Sequence, residues 1–231
     1  MVRLYFYVEG YTEAGFVSQV LRPHLALHGV LVMGAKLVST GRRHGQIKGR
    51  GGGRHYLPAK NELRRLLKAE SSPDVRYTTM FDLYALFRDF PGSDEAAAHQ
   101  QPYERVQALE KFFAADVADW RFIPYLQLHE YEAILFCQPE VFGLLYDQAS
   151  RGIAQLQEIA AAVASPELID DGEQTAPSKR ISAAFPRYAL NKVADGVAAA
   201  KLIPLSSVRS KCPHFDQWLT ALEGLRDSTP D

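Results

Sequence analysis

The sequence predicts an α/β protein with a helical C-terminal lobe, and three observations indicate this. Apolar runs rich in β-branched and aromatic residues, typical of buried strands, occur at 4–8, 75–81 and 122–128. Segments whose apolar residues recur at helical spacing lie between these runs. Beyond Pro139 only helical patterns remain. A chain of 231 residues with a 47% hydrophobic fraction is ample for a large core.

The first elements alternate between strand and helix. The strand at 4–8 is followed by a helical pattern over 12–28, in which Thr12 is a candidate N-cap and Pro23 predicts a kink. A second strand follows at 30–39. The glycine-rich stretch that comes next has no apolar period, so we expect a loop there.

The later elements continue this alternation and then become helical. A helix at 60–70, the strand at 75–81, a helix after Pro102 and the strand at 122–128 complete the sheet region. A polar stretch at 165–177 indicates a break between the sheet region and the helical lobe. We expect an α/β domain at 1–138 and a helical lobe packed on it at 139–231. Helical patterns in the lobe cover 141–146, 153–163, 179–185, 188–200 and 215–225.

Acidic residues stand where the predicted strands end. Glu9-Gly10 follows the strand at 4–8, Asp82 follows the strand at 75–81, and His129-Glu130-Tyr131-Glu132 follows the strand at 122–128. Open α/β sheets build ligand sites outside the carboxyl ends of their strands, and Gly10 would allow a ligand to approach closely. If 130–132 is helical, Glu130 and Glu132 diverge by roughly 200° and only one faces the site; if it is extended, they share a face.

Carboxylate oxygens in such a cluster suit Mg²⁺ or Mn²⁺. A bound metal would offset the repulsion that otherwise raises the pKa of clustered carboxyl groups. Each residue also has a plainer interpretation, in which Glu9 is solvated, Asp82 and Asp89 are caps, and His129 is a core or surface histidine. Residues of the C-terminal lobe that could reach back toward this edge are Lys179, Arg180 and Lys192.

A basic segment separates the second strand from the third. Residues 41–68 contain nine Lys or Arg and one Glu, a local charge of +8 in a chain whose net charge is -1. Arginine favours bidentate phosphate contacts, so this segment predicts binding to the backbone of DNA or RNA, although charged runs are often only solvated. The candidate nucleic-acid-binding residues are Arg42, Arg43, Lys48, Arg50 and Arg54.

Composition also bears on the cell compartment. Cys137 and Cys212 are far apart and fit no metal-ligand spacing, which favours a reducing environment over a disulfide framework. No signal peptide or membrane-spanning run is visible. We therefore expect a cytoplasmic protein with no membrane partner, while the sequence leaves its oligomeric state open.

Several motifs together resemble Toprim domains. Val8-Glu9-Gly10-x-Thr12-Glu13 is similar to the first Toprim motif, found in topoisomerases, primases and overcoming-lysogenization-defect nucleases. The closer resemblance is to a Toprim-like bacterial family of unknown function associated with phage defence. The further motifs that carry it, in chain order, are Phe81-Asp82-Leu83-Tyr84, Asp89-Phe90-Pro91-Gly92, Gln127-Leu128-His129-Glu130-Tyr131-Glu132-Ala133, Thr175-Ala176-Pro177-Ser178-Lys179-Arg180 and Cys212-Pro213-His214-Phe215-x-x-Trp218.

The resemblance implies a small, mostly parallel sheet flanked by helices, with a divalent metal at the strand ends. Glu9 would match the Toprim glutamate and Asp82 the first Asp of the Toprim Asp-x-Asp pair. Tyr84 replaces the second Asp, which puts two-metal catalysis in doubt. The missing ligand would come from Asp89, Glu130 or Glu132. By analogy, an ABC- or SMC-like ATPase partner is also implied.

Three functional hypotheses follow from these features. The first is a metal-dependent, nuclease-like enzyme acting as a defence effector. Its catalytic residues would be Glu9, Asp82 and Glu130, with Asp89 as a further candidate metal ligand and Glu13, His129, Glu132 and Lys179 in support. The second is a non-catalytic module that binds a partner ATPase. The third is another phosphoryl-transfer enzyme acting on nucleotides.

Overall fold

The computed structural model describes residues 1–38, 42–43, 46–47, 55–169, 172 and 175–226, with backbone alone for 42–43 and 46–47. Its main sheet is parallel, in the order β2-β1-β5-β6, with β7 also paired to β5. A separate antiparallel pair joins β3 to β4. The strands are β1 (Val2–Val8), β2 (Val30–Leu37), β3 (Arg42–Arg43), β4 (Gln46–Ile47), β5 (Val75–Asp82), β6 (Phe122–Ile123) and β7 (Leu126–Gln127).

Helices connect the strands and form most of the C-terminal region that the structure describes. The first helix, α1 (Tyr11–Phe16), continues through a π-helical turn (Val17–Leu21) into α2 (Arg22–Leu27). Two 3₁₀ helices, Tyr131–Cys137 and Pro139–Leu144, follow the last strand. The remaining α-helices are α3 (Tyr56–Ala69), α4 (Ser93–Ala97), α5 (Pro102–Val117), α6 (Ser150–Ala161), α7 (Pro177–Ala184), α8 (Pro186–Leu202), α9 (Leu205–Lys211) and α10 (Pro213–Glu223), with short 3₁₀ turns at Pro166–Leu168 and Gly224–Arg226.

The sheet separates two hydrophobic cores. Alternate residues of β1 point to opposite faces, so Leu4 and Phe6 pack with α1, α2 and the C-terminal helices. Tyr7 instead joins the core formed with α3 and α5. Across the first face, Trp218 of α10 donates its indole N–H to Thr78 Oγ1 of β5 at 2.9 Å. The C-terminal helices therefore cover one face of the sheet together with α1 and α2.

The order of the strands creates a switch point between β1 and β5. The chain passes from β1 to β2 through α1 and α2 on one face, then from β2 across to β5 through α3 on the other face. Right-handed crossovers require helices on opposite faces when the chain reverses direction along a sheet. The segments that follow β1 and β5 consequently run to opposite faces of the sheet, and α/β sheets bind ligands in the crevice between such segments.

The α/β fold with a helical C-terminal region is confirmed. Two local predictions are wrong. Thr12 is buried inside α1, whose N-cap is Gly10, because the helix begins directly after the glycine. The predicted strand at 122–128 is two short strands, since Pro124 lacks the N–H that a continuous ladder would need.

Two further features concern the whole chain. The Sγ atoms of Cys137 and Cys212 lie 3.4 Å apart as buried free thiols, so residues distant in sequence meet where the 3₁₀ helix ends and α10 begins. Within the described residues, none of the helices combines the length and apolar character that crossing a bilayer requires.

Candidate functional site

Three strand ends bring acidic residues together at the switch point. Asp82 pairs in register with Gln127 of β7, and Val8 pairs with Met80, so Glu9, Asp82 and Glu130 emerge at the same edge. The backbone N–H of Asp82 donates to Glu9 Oε2 at 3.2 Å. The N–H of Tyr131 donates to Asp82 Oδ1 at 2.9 Å. Backbone hydrogen bonds thus tie the carboxylate of Glu9 to the end of β5 and the carboxylate of Asp82 to the segment that follows β7.

Glu13 lies in the first turn of α1 and folds back over Gly10. It is only 6% exposed, and its Oε2 has no hydrogen-bond partner among the described residues. A Cβ on Gly10 would stand 2.8 Å from that oxygen, so the glycine leaves the space that the carboxylate occupies. A buried carboxylate oxygen without a donor is costly unless a proton or cation reaches it.

The carboxylate of Glu130 lies at the N-terminus of α7. Its Oε2 accepts the N–H of Ser178 at 2.9 Å, in the first turn of α7. The positive end of a helix dipole stabilises a nearby carboxylate. The charge on Glu130 is therefore partly compensated by the C-terminal lobe.

Glu132 is held by two side chains of α8. It is 1% exposed, and its Oε1 accepts the hydroxyl of Tyr188 and lies near Lys192 Nζ, both at 3.1 Å. The helix is interrupted at Asn191, whose φ of -125° and ψ of 24° are not helical. This break immediately precedes Lys192, which reaches the acidic residues from a half-exposed position.

Asp82, Glu13 and Glu132 all have raised pKa values. Desolvation raises the pKa of Asp82 well above its usual range, and the charges of Glu13, Glu9, Glu132 and Glu130 add to it. Burial, together with Glu9 and Glu132, raises the pKa of Glu13 to about 7. Burial also raises the pKa of Glu132, although Lys192 opposes this effect. The arrangement thus holds more negative charge than its own donors compensate.

The acidic residues fit a hydrated divalent cation better than a tightly enclosed one. Among the described residues, no three of these carboxylates bring ligand oxygens within 4.8 Å of one another. Mg²⁺ dehydrates reluctantly and is usually held by one or two carboxylates and several waters, so it does not need such convergence. A cation would provide a partner for the Glu13 oxygen that lacks a hydrogen bond. It would also offset the repulsion that contributes to the raised pKa values of Glu13 and Asp82.

Other predicted site residues have different surroundings. Asp89 accepts the backbone N–H of Tyr56 at 2.7 Å and lies 3.4 Å from His55 Nδ1, so it caps α3. His129 has a positive φ of 61° and its carbonyl accepts the N–H of Tyr84, which aids the turn that presents Glu130. Lys179 is exposed in the first turn of α7, beside the Ser178 that binds Glu130.

The predicted nucleic-acid-binding residues are not tested by the structure. Lys48, Arg50 and Arg54 lie outside the described residues, and for Arg42 and Arg43 only the backbone is described. Their part in binding stays a prediction.

Sequence reasoning identified the strand-end carboxylates but missed some of their partners. Lys192 was one of three basic candidates, and it is the one with an ion pair to an acidic residue of the site. Tyr188 and the backbone N–H of Ser178 were missed, because a tyrosine in a helical pattern and a main-chain donor carry no sequence signal. The Pro177 that begins α7 was the one usable hint of a helix N-terminus there.

The fold and site define an α/β protein with a partly buried acidic cluster at the switch point of a parallel sheet, formed by Glu9, Glu13, Asp82, Glu130 and Glu132. The chain belongs to the family described as a domain of unknown function, DUF4276, whose family model matches residues 8–223. No curated protein and no solved structure matches the chain. The family match begins at the last residue of β1 and ends at the last residue of α10, so it includes the whole acidic cluster.

Proposed function

We propose that this protein is a metal-dependent, nuclease-like enzyme that cleaves phosphodiesters. Glu9, Asp82 and Glu130 would hold Mg²⁺ or Mn²⁺, with Glu13 and Glu132 close by. The observation that carries the proposal is the buried excess of carboxylate at the switch point, including the Glu13 oxygen that has no donor among the described residues. Such a site is suited to a hard cation together with a phosphate substrate.

The chemistry divides between the ion and the chain. A bound divalent ion would act as a Lewis acid toward a phosphoryl group and lower the pKa of bound water. Glu13, with a pKa of about 7, is suited to exchange a proton near neutral pH. Lys192 orients Glu132 through their 3.1 Å ion pair and adds positive charge at the edge of the site.

The substrate class rests on the basic segment. A small substrate would not need so many cations, whereas a polyanion would engage many of them at once, so the +8 charge of residues 41–68 favours DNA or RNA. The resemblance to Toprim domains supports action in the cytoplasm as a phage-defence effector alongside an ABC- or SMC-like ATPase. These wider roles rest on the resemblance alone.

Calorimetric titration of Mn²⁺ into the wild type and into the Glu9→Gln, Asp82→Asn double variant tests the metal site. We expect micromolar binding by the wild type and at least a tenfold loss in the variant, since two ligands are removed. The matched control is Glu158→Gln, Asp147→Asn, which makes the same charge change at exposed positions.

Nuclease assays with plasmid DNA and RNA then test the activity. Glu9→Gln should abolish cleavage while nucleic-acid binding persists. Equal cleavage by the wild type and Glu9→Gln would refute a catalytic role for this site. If the wild type binds no Mn²⁺, the non-catalytic interaction module becomes the better interpretation, and partner capture is the next measurement.

A further inference from the structure

A second group of metal-binding side chains lies away from the acidic cluster, where α2 and α10 end. It consists of His24, His28 and Glu223, whose ligand atoms all lie within 4.8 Å of one another. In the part of the chain that the structure describes, this is the one group of three His, Cys, Asp or Glu side chains that converges so closely. Two nitrogen donors and one oxygen donor differ in kind from the all-carboxylate cluster.

The helical geometry explains why these side chains meet. His24 and His28 are four residues apart on one helical face, and their ring centroids are 4.9 Å apart. Glu223 is the last residue of α10. Its Oε1 lies 2.5 Å from His24 Nε2 and 3.6 Å from His28 Nε2. The group therefore joins a helix of the sheet region to the final helix of the C-terminal lobe.

The spacing is close to that of a zinc site with an open position. Tetrahedral Zn²⁺ binds imidazole nitrogen and carboxylate oxygen at about 2.0–2.2 Å, which separates any two ligand atoms by roughly 3.4 Å. The 3.6 Å pair already matches, and the 2.5 Å pair must lengthen by about 1 Å. Side-chain exposures of 25% for His24, 39% for His28 and 12% for Glu223 leave access for a water as fourth ligand.

The local electrostatic field both favours and limits a cation. Two helices end here, and helix C-termini carry partial negative charge. Arg209 opposes a metal because its Nη1 lies 2.6 Å from Glu223 Oε1. Arg209 is also bound to Asp216, so its charge is shared, and a donor to a ligating carboxylate helps to orient it.

We propose that His24, His28 and Glu223 bind a divalent transition metal of the Zn²⁺ class. The ion would link α2 to α10 and so stabilise the contact between the sheet region and the C-terminal lobe. This site is separate from the proposed nuclease site and would bind its metal whether or not that proposal holds.

Zinc titration by calorimetry, with Co²⁺ as a visible-absorption probe, tests the site in the full chain. We expect one Zn²⁺ per chain in the Glu9→Gln, Asp82→Asn background, in which the acidic cluster has lost two carboxylates. Co²⁺ should give the intense visible bands of a four-coordinate site. Zn²⁺, but not Mg²⁺, should raise the melting temperature by several degrees.

The informative variant is His28→Gln, because His28 is 3.6 Å from Glu223 and its loss leaves the closer His24 contact intact. It should weaken Zn²⁺ binding at least tenfold and remove the zinc-dependent rise in melting temperature, with little change in metal-free stability. His99→Gln, an exposed histidine elsewhere, is the control. Absence of Zn²⁺ binding by the wild type, or equal affinity of His28→Gln and the control, overturns the proposal.

Discussion

Glu13 carries a buried carboxylate oxygen that no hydrogen bond from the described residues reaches. Its neighbours Glu9 and Glu132 are acidic as well, and its pKa is raised to about 7. A carboxyl group that is harder to ionise in the folded state than in the unfolded state makes folding less favourable as pH rises. Glu13 therefore links the stability of the fold to the charge state of the site.

The stability of the metal-free protein should fall between about pH 4.5 and pH 7, because the folded state holds the Glu13 proton over that range and the unfolded state releases it. The penalty is complete above the folded pKa. Glu13→Gln removes it and should raise stability at pH 8 by about 1–3 kcal/mol. This corresponds to a melting temperature higher by roughly 2–10 °C.

Comparing the wild type with Glu13→Gln measures this group together with the effect of its charge on the pKa of Asp82. The pKa of His214 is raised, so its stabilisation is present below its unfolded value and is lost as pH rises through the folded value, in both proteins. The lowered pKa values of Asp116 and Asp119 affect stability only at more acidic pH. Melting curves at pH 5 and pH 8 that show no pH-dependent difference between the two proteins would contradict the assignment.

At the scale of elements, the contact between α1 and α8 holds two sides of the site together. A Cβ on Gly15 of α1 would stand 2.5 Å from Val197 Cγ2 of α8. A Cβ on Gly196 would stand 3.0 Å from Tyr188 Oη and 3.3 Å from Thr12 Cγ2. Small residues thus let the helix that bears Glu13 approach the helix that bears Lys192.

Gly15→Ala should destabilise the protein by about 1–3 kcal/mol, because overpacking at the contact exceeds the gain in helix propensity. Gly34→Ala is the matched control, since no atom lies within 4 Å of a Cβ there. It should be neutral or stabilising by up to about 1 kcal/mol. Urea unfolding measures both, and equal stability of the two variants would show that the close α1–α8 approach is not required.

Elements with strong local signals could be predicted from the sequence, and their long-range partners could not. The apolar runs at β1 and β5 predicted the strands and hence the shared edge of Glu9 and Asp82. The helix α9 was missed because Leu205–Lys211 is short and polar. Which basic residue reaches the site depends on the break at Asn191, which no local pattern indicates.

At the scale of the whole molecule, one hydrophobic core joins the first strand to the last α-helix of the described residues. Leu4 and Phe6 of β1 belong to the same core as Leu222 of α10, and the rings of Phe6 and Trp218 meet edge to face at 6.0 Å. The boundary predicted between 138 and 139 stays a prediction. A shared core of this kind favours cooperative unfolding over separate unfolding of the lobe.

The buried pair of Cys137 and Cys212 offers a way to observe how often the lobe leaves the sheet. The hydrogen bond with Cys137, together with burial, holds the pKa of Cys212 well above its usual range, so its reactive thiolate is scarce in the folded protein. Alkylation should therefore require the structure to open and expose these thiols. The free energy of this opening should equal the free energy of global unfolding measured in urea. A smaller opening free energy would reveal an independently detaching lobe. The rate of thiol alkylation would then report how often the lobe detaches, a motion that also separates Lys192 from Glu132.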